Sequence, residues 1–350
     1  MKAKTEWSCP DCIPNEDVLL NVMTQPSAAA VEVMSKVKGP LVVVGAGGKM
    51  GPSLCLLAKR AAEEAGNELS VIAVSRFSND AEREWLEAYG IQTQRCDTLE
   101  PSDVGRLPEA SHLIFLVGLK FGTQSNPDLT WATNTLAPAN IARRYRQVPM
   151  VALSTGNVYP LVPANSAGAT EGDPLTPLGE YANAAVARER VFGYFSRSLG
   201  IPCVVLRLNY ALDLRYGILV DLARSILSDQ AIDLSMSRVN CLWQGDANDF
   251  ILRSLELATS PAATFNMTSP EVYEVKELAT KLGTHLNKSV RFTGSPSETA
   301  LLSDATALTQ RLGAPRTPID SVIKWTAEWM LAGGRVLGRP TKFQVRDGRF

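Results

Sequence analysis

One short segment joins an apolar run to a cluster of glycines. Residues 41–45 read LVVVG, and Gly48 and Gly51 follow Gly45 at intervals of three, with Gly47 between them. An apolar run bounded by turn residues is typical of a strand buried on both faces of a parallel sheet. Glycines between such a strand and a helix let the backbone approach a pyrophosphate at the positive helix N-terminus. The segment therefore predicts a dinucleotide-binding loop, an interpretation that we favour over a purely structural turn.

The rest of the chain alternates between predicted strands and predicted helices. Further strands are predicted at 69–75, 91–96, 111–117, 150–154 and 202–208, and helices at 50–65, 81–89, 129–147 and 181–199. This alternation predicts an α/β fold, a Rossmann-type doubly wound parallel sheet with right-handed crossovers. After Asn209 the pattern is less regular, which indicates a smaller C-terminal α/β substrate domain.

The same pattern divides the chain into four predicted regions. Residues 1–37 form an N-terminal helical arm, 38–210 a Rossmann dinucleotide-binding domain, 211–335 mainly a substrate-binding domain and 336–350 a C-terminal tail. Interleaving of the second and third regions stays open. Trp325 and Trp329 stand four residues apart on the last predicted helix, a spacing that favours a core position over cofactor stacking.

Composition excludes several classes of protein. Lysine and arginine (35) nearly balance aspartate and glutamate (36), so a nucleic-acid partner is not expected. The chain has two histidines and six irregularly spaced cysteines, and Cys9 and Cys12 lack a second pair, so neither a metal site nor a disulfide framework is predicted. No apolar run approaches the length of a membrane span. We expect a soluble, cytoplasmic protein whose partner is a small-molecule substrate.

The end of the second predicted strand bears on the cofactor. An acidic residue is expected there to bind the adenosine ribose hydroxyl, but the strand ends Val74-Ser75-Arg76. Ser75 and Arg76 could hydrogen-bond to a 2′-phosphate that a carboxylate would repel. The sequence therefore favours NADP, with NAD as the alternative.

Five later segments add to the glycine loop. They are Asp97-Thr98, LVGLKFG (116–122), STGNVYP (154–160), LRLNY (206–210) and FNMT (265–268). Together with Tyr181 and with Glu189 eight residues later, they resemble the extended short-chain dehydrogenase/reductase superfamily, in its NAD-dependent epimerase/dehydratase group. The resemblance covers residues 40–290 and implies an NAD(P)-dependent oxidoreductase or epimerase that acts on a sugar or sugar-derived substrate.

The resemblance also assigns roles to individual residues. It implies Tyr181 and Thr155 as the groups that exchange a proton with the reacting oxygen and hydrogen-bond to it, and Lys120 is a third catalytic candidate. The predicted cofactor-binding residues are Gly45, Gly47, Gly48, Lys49, Met50, Gly51, Ser75, Arg76, Asp97, Thr98, Leu116, Val117, Gly118, Lys120, Asn134 and Tyr181.

The catalytic helix departs from the family pattern Y-x-x-x-K, because residue 185 is alanine. That lysine normally lowers the tyrosine pKa and holds the nicotinamide ribose. Lys120, Arg188 or the nicotinamide charge could replace it, although seven residues along a helix suggest that Arg188 lies too far from Tyr181. Three interpretations stay open: a working oxidoreductase or epimerase, an elimination with tyrosine as acid, and a cofactor-binding protein that has lost its chemistry.

Two of the predicted helices suggest association into a homodimer. In this superfamily the helices that correspond to 129–147 and 181–199 often pair into a four-helix interface. The second helix carries the apolar residues Ala184, Val191, Phe192, Tyr194 and Phe195. The sheet and the C-terminal domain could equally cover them, so the dimer is one of two alternatives.

Overall fold

A parallel sheet lies at the centre of the computed structural model, which describes residues 9–120 and 122–349. In that part of the chain the sheet has seven strands: β1 Leu41–Val44, β2 Val71–Ser75, β3 Gln92–Arg95, β4 His112–Phe115, β5 Met150–Thr155, β6 Cys203–Leu208 and β7 Ala263–Met267. Their spatial order is β7-β6-β5-β4-β1-β2-β3, and every neighbouring pair is parallel. The order reverses direction between β1 and β4, and ligands of such sheets bind at this switch point.

Helices cover both faces of the sheet and build the C-terminal part. Within the described residues they are α1 Glu16–Met23, α2 Ala28–Lys36, α3 Gly51–Glu64, α4 Asp80–Ala88, α5 Pro101–Gly105, α6 Pro127–Arg144, α7 Glu180–Leu199, α8 Ile218–Leu227, α9 Gln244–Arg253, α10 Val275–Leu286, α11 Thr306–Leu312 and α12 Ile319–Leu331. Two 3₁₀ turns span Gly156–Val158 and Ser254–Leu257. None of the helices in the described ranges is long and apolar enough to cross a membrane.

Short strand pairs complete the C-terminal part. Ala211–Leu212 pairs with Leu242–Trp243, and Ile232–Asp233 pairs with Phe292–Thr293. The antiparallel pairs are Val162–Pro163 with Thr299–Ala300 and Arg238–Val239 with Tyr273–Glu274.

Apolar burial explains why the strands are central. All four residues of β1 are fully buried, because α2 and α3 cover one face of the sheet while α6 and α7 cover the other. A separate core lies in the C-terminal part, where Trp325 and Trp329 are buried as predicted. Leu19 and Met23 of α1 also belong to this second core, so the N-terminal arm packs on both halves of the chain.

The predicted fold class is confirmed. The sheet also recruits β7 from the region that follows residue 211, so the two halves of the chain share one sheet. Residues 1–8 of the predicted arm and Phe350 of the predicted tail lie outside the described residues.

Candidate active site

The carboxyl ends of the parallel strands bring the predicted site residues to one edge of the sheet. The glycine loop follows β1, Ser75 ends β2, Asp97 follows β3 and Thr155 ends β5. Leu116, Val117 and Gly118 follow β4 in the same way. Because all strands are parallel, these segments line one edge, on both sides of the switch point between β1 and β4.

The glycine loop holds its backbone in a shape that side chains would not permit. Gly45 has a φ of +89°, and a Cβ on it would stand 2.9 Å from the amide nitrogen of Val117. A Cβ on Gly51 would stand 2.1 Å from the carbonyl oxygen of Ala46. Helix α3 begins at Gly51, and no side chain caps its first turn. The loop therefore presents an uncapped helix N-terminus, which suits a pyrophosphate.

The predicted ribose site contains a carboxylate that the sequence pattern missed. A Cβ on Gly47 would meet the Ser75 hydroxyl at 2.7 Å and an Oε2 of Glu82 at 3.3 Å. Desolvation raises the pKa of Glu82 above its ordinary value. Arg76 is exposed. Both a carboxylate and a guanidinium are thus available to the 2′ position of an adenosine ribose.

A cavity of about 210 Å³ opens beside the glycine loop. Among the predicted residues it is lined by Lys49, Met50, Leu116, Gly118, Lys120, Thr155 and Tyr181. It is also lined by residues outside the predicted catalytic and cofactor-binding sets: Asn157, Arg188, Asn209, Tyr210, Tyr216, Ile218 and Thr341. Tyr210 adopts a φ of +48°, which is uncommon for a residue other than glycine and places local strain in the wall of the cavity.

Two lysines give the cavity a positive lining. The Lys49 ammonium lies 3.5 Å from the centroid of the Tyr216 ring. Desolvation lowers the pKa of Lys49 to about 7, against an opposing effect of Asp213. Desolvation likewise lowers the pKa of Lys120 to about 8, and its Nζ donates a long 3.4 Å hydrogen bond to the carbonyl of Thr341. Both ammonium groups can therefore change charge near neutral pH.

The structure brings Arg188 and Tyr181 to the same cavity, although seven residues separate them along α7. Nη1 of Arg188 donates to the Val117 carbonyl and to Oδ1 of Asn134, each at 3.0 Å. Arginine side chains on a helix lean toward its N-terminus, which directs this side chain toward the turn that carries Tyr181. Asn134 is fully buried, and its side chain positions the guanidinium.

A buried network behind the cavity connects three strands and helix α7. Arg207 of β6 makes a two-point ion pair with Glu189 of α7, through Nη2 at 2.7 Å and Nε at 3.0 Å. Glu189 also accepts a 2.5 Å hydrogen bond from the Ser154 hydroxyl. Arg207 Nη1 donates to the Tyr159 hydroxyl at 2.6 Å, which in turn donates to Oδ1 of Asn266 at 2.8 Å. The network fixes α7, and with it Tyr181, against the sheet.

The C-terminal tail crosses to the cavity and forms part of its wall. The backbone and the hydroxyl of Thr341 both bond to Oδ2 of Asp221, at 2.8 and 2.6 Å. Phe343 is buried in the C-terminal core, and Arg346 bonds to the carbonyl and hydroxyl of Thr299. A Cβ on Gly179, the residue before α7, would stand 2.2 Å from the carbonyl oxygen of Gly348. The described part of the tail is therefore held by contacts between Thr341 and Gly348.

Several predicted residues lie outside the cavity. Gly45, Gly47, Gly48, Ser75, Arg76, Asp97 and Thr98 lie along the sheet edge that leads away from it. Asp97 accepts a hydrogen bond from the Leu99 backbone at 3.0 Å, which orders the loop after β3. Polar residues thus lie along one edge of the sheet, and the cavity lined by Tyr181 and Thr155 lies beside the glycine loop at that edge.

A comparison with protein families indicates which class of protein has this arrangement. The model of the NAD dependent epimerase/dehydratase family matches residues 41–211. Over this segment, just under half of its length, the chain is similar to that family.

Solved structures share the fold over most of the chain. UDP-glucose 4-epimerase from Thermotoga maritima, with UDP-glucose, is 16% identical, covers 85% of this chain and 99% of its own, and has a TM-score of 0.69. UDP-glucuronic acid 4-epimerase from Bacillus cereus, with NAD, is 15% identical, with coverage of 85% and 99% and a TM-score of 0.69. The dTDP-glucose 4,6-dehydratase of Bacillus anthracis, with NAD, is 14% identical, with coverage of 84% and 97% and a TM-score of 0.69. No curated protein matches the sequence.

Proposed function

We propose that the protein is an NAD(P)-dependent oxidoreductase or epimerase that acts on a sugar or sugar-derived substrate. The observation that carries the proposal is that Tyr181 and Thr155 line one cavity next to the uncapped glycine loop. The family model and the sugar-nucleotide enzymes of the same fold support this reaction class.

The residues present fit a dinucleotide. The backbone of the loop that contains Gly45 and Gly51 and the N-terminus of α3 would hold the pyrophosphate. Ser75, Asp97 and Thr98 would contact the adenosine, and the segment 116–118 would face the nicotinamide half. When bound, the cofactor supplies a hydride acceptor or donor. The nicotinamide end would then lie beside the cavity that Tyr181 lines.

The chain's own groups handle the proton and the reacting oxygen. The phenol oxygen of Tyr181 accepts the proton of a substrate hydroxyl during oxidation and returns it during reduction. The Thr155 hydroxyl donates a hydrogen bond to the same substrate oxygen, and the amide of Asn157 holds the Thr155 oxygen at 3.2 Å. Lys120 is proposed as a third catalytic group, because its ammonium faces the cavity and can change charge near neutral pH.

For the cofactor we propose NADP, with NAD as the alternative. Ser75 and Arg76 support NADP, because a guanidinium can bind a 2′-phosphate. Glu82 opposes it, because its carboxylate stands beside Ser75 and would repel that phosphate. The Glu82 side chain is exposed on α4, so its carboxylate can turn away from the phosphate.

Association and location are part of the proposal. Helices α6 and α7 pack against each other and expose Leu136 and Tyr194, which are 54% and 61% accessible. Phe192 and Phe195 are buried within the chain, so less apolar surface remains for a partner than the sequence indicated. We propose a homodimer through this face, and a cytoplasmic location in keeping with six unpaired cysteines.

The test is turnover of sugars and sugar nucleotides, monitored by the absorbance of the reduced cofactor, for the parent protein and for Tyr181→Phe. We expect the parent to turn over at least one of them and Tyr181→Phe to lose a factor of about 100 or more, as expected for loss of a general acid/base. Thr155→Ala should lose less activity than Tyr181→Phe, because it removes only one hydrogen bond to the substrate oxygen.

The alternatives are a cofactor-binding protein without turnover and an elimination. Ala185 is the observation that favours them, because residue 185 lacks the family's lysine. Tight cofactor binding without turnover of any sugar would favour the first. Release of water without net change of the cofactor would favour the second.

A further inference from the structure

We propose that the cavity selects a substrate with an anionic group, a carboxylate or a phosphate, on the sugar part that reaches Tyr181. The inference rests on the proposed function and adds a substrate class to it. Three cations that line the cavity would bind this group: Lys49, Lys120 and Arg188.

The lining of the cavity carries positive charge that no lining acid balances. Besides the three cations, none of the described residues that line it is an aspartate or a glutamate. The whole chain is nearly neutral, with 35 basic and 36 acidic residues, so the excess is a local property of the cavity. Charges of one sign around a small space raise the local potential and favour a ligand of the opposite sign.

Two acids adjoin the lining but are bonded to other groups. Asp213 is buried and forms an ion pair with Arg215 at 2.8 Å. Asp221 accepts two hydrogen bonds from Thr341, one from its amide and one from its hydroxyl. Neither carboxylate lines the cavity, so neither takes the place of a ligand anion.

Arg188 carries a charge that its printed contacts leave without an acid. The residue is 4% accessible, and its Nη1 donates to the uncharged oxygens of the Val117 carbonyl and the Asn134 amide. In residues 9–120 and 122–349 its Nε is buried without a hydrogen-bond partner. Burial of a cation is costly unless an anion compensates it. A carboxylate or phosphate in the cavity would offset this cost, and the planar guanidinium suits both groups.

The two lysines reach the cavity from different loops. Lys49 stands in the glycine loop, and its ammonium lies 3.5 Å from the centroid of the Tyr216 ring. A cation–π contact uses no hydrogen-bond acceptor, so this ammonium can donate to an anion as well. Lys120 stands in the loop after β4, where its Nζ donates to the Thr341 carbonyl at 3.4 Å. The cations thus approach from two loops and from α7.

The size of the cavity limits which part of a ligand it holds. Its volume of about 210 Å³ is smaller than the roughly 300 Å³ at the lower end of sites for drug-sized ligands. It therefore accepts one sugar-sized group, and a nucleotide has to lie outside it. The cofactor pyrophosphate is a second source of negative charge, and its proposed place is the glycine loop that contains Lys49.

Equilibrium binding separates the two sources of negative charge. The probes are the methyl glycosides of glucuronic acid and of glucose 6-phosphate, each compared with methyl glucoside by calorimetry in saturating NADPH. These glycosides have no free carbonyl, so NADPH cannot reduce them and affinity is measured without turnover. The affinity for NADPH is measured separately in each protein.

The variants remove one charge at a time. Arg188→Gln keeps an amide donor, and Lys49→Met keeps most of the side-chain length. Lys38→Met, at an exposed lysine outside the lining, is the matched control. Because Lys49 is itself exposed, Lys49→Met preserves the test if Arg188→Gln does not fold.

We expect the parent to bind one or both anionic glycosides about tenfold or more tighter than methyl glucoside, as charge-assisted hydrogen bonds do. Lys49→Met and Arg188→Gln should each reduce this preference by about tenfold, and Lys38→Met should not change it. Equal affinity of the parent for anionic and neutral glycosides, or no binding of any of them, would overturn the proposal. A preference that survives both substitutions while only NADPH binding weakens would overturn it too, because the cations then serve the cofactor.

The binding experiment and the turnover experiment can fail separately. A parent that turns over a neutral sugar and binds all three glycosides alike would support the proposed function and contradict the substrate class. A parent that prefers an anionic glycoside but turns over no sugar would support the anion site and contradict the proposed function.

Discussion

At the scale of single residues, two lysines that line the cavity have pKa values near neutrality. Lys49 stands on the Tyr216 ring and Lys120 reaches toward Thr341, both with pKa values lowered by desolvation. A bound anion would favour the protonated form of each lysine, so the protein would take up protons when the anion binds. The affinity of this site for anions should therefore depend on pH in the neutral range.

The first prediction follows from Lys49. In the free protein its pKa is about 7, so the ammonium is charged below pH 7 and progressively neutral above it. NADH binding should be constant below this pH and weaken above it, by up to about tenfold per pH unit. Fluorescence titration of NADH across the range measures it. Lys49→Met should move the onset to about pH 8, where Lys120 titrates; a pH-independent affinity in the parent would exclude a role for either lysine.

The second prediction concerns the ribose site. Arg76→Ala should weaken NADP binding by about tenfold to a hundredfold and leave NAD binding nearly unchanged, because it removes one charge-assisted contact. Glu82→Gln should change selectivity in the opposite direction, because it removes the negative charge beside Ser75. Calorimetry with NAD and with NADP gives the ratio of the two binding affinities. If the parent binds NAD more tightly than NADP, and Glu82→Gln reverses this preference, the cofactor is NAD and the proposal of NADP is wrong.

Residue-scale features were the hardest to predict from sequence. Arg188 was judged too distant from Tyr181 on the rise of the helix alone, although side-chain direction decides its reach. Glu82 lies on α4, beyond the strand end where an acid is expected, and only the tertiary fold brings its carboxylate close to Gly47. Tyr216 and Thr341 carry no local signal, because tertiary packing alone brings them to the cavity.

At the scale of elements, β5, α7, β6 and β7 each contribute a side chain to one buried network. Ser154, Glu189, Arg207 and Asn266 come from four elements and bond through Arg207 and Tyr159. The network holds α7 in register with the strands, so its effect on activity is indirect.

The third prediction is a loss of stability at this network. Glu189→Leu leaves the buried Arg207 guanidinium without its acid and should lower the free energy of unfolding by about 3–5 kcal/mol. Denaturant titration measures the loss. Glu84→Leu on the exposed surface of α4 is the control and should change it by less than about 0.5 kcal/mol. Equal stability of Glu189→Leu and the parent would show that the ion pair makes no net contribution to the free energy of unfolding.

Elements were predictable where local pattern decides them. The apolar run LVVV predicts the limits of β1, and the glycines before α3 together with Pro52 in its first turn predict where that helix begins. The structure places both elements within one residue of the predicted limits. The short pairs, such as Val162–Pro163 with Thr299–Ala300, could not be predicted, because two-residue strands exist only through a distant partner. Helix α5, five residues long, is too short for a periodic signal.

At the scale of the whole molecule, one apolar face is left exposed by residues 9–120 and 122–349. Leu136 of α6 and Tyr194 of α7 are more than half accessible. The fourth prediction is that Leu136→Glu with Tyr194→Glu converts a homodimer into a monomer, because buried charges at an interface are costly. Sedimentation velocity gives the mass of both proteins. Leu178→Glu, equally exposed but outside these helices, is the control; a parent that sediments as a monomer would refute the dimer.

The cavity is assembled from residues that span almost the whole chain, from Lys49 in the glycine loop to Thr341 in the tail. A ribosome therefore releases the glycine loop long before the segment that completes the wall. The sheet can form early, whereas the pocket exists only after Thr341 has emerged and joined Asp221. A nascent chain stalled before this point would hold a Rossmann core with an open pocket, and ligand binding would begin only after Thr341 has emerged.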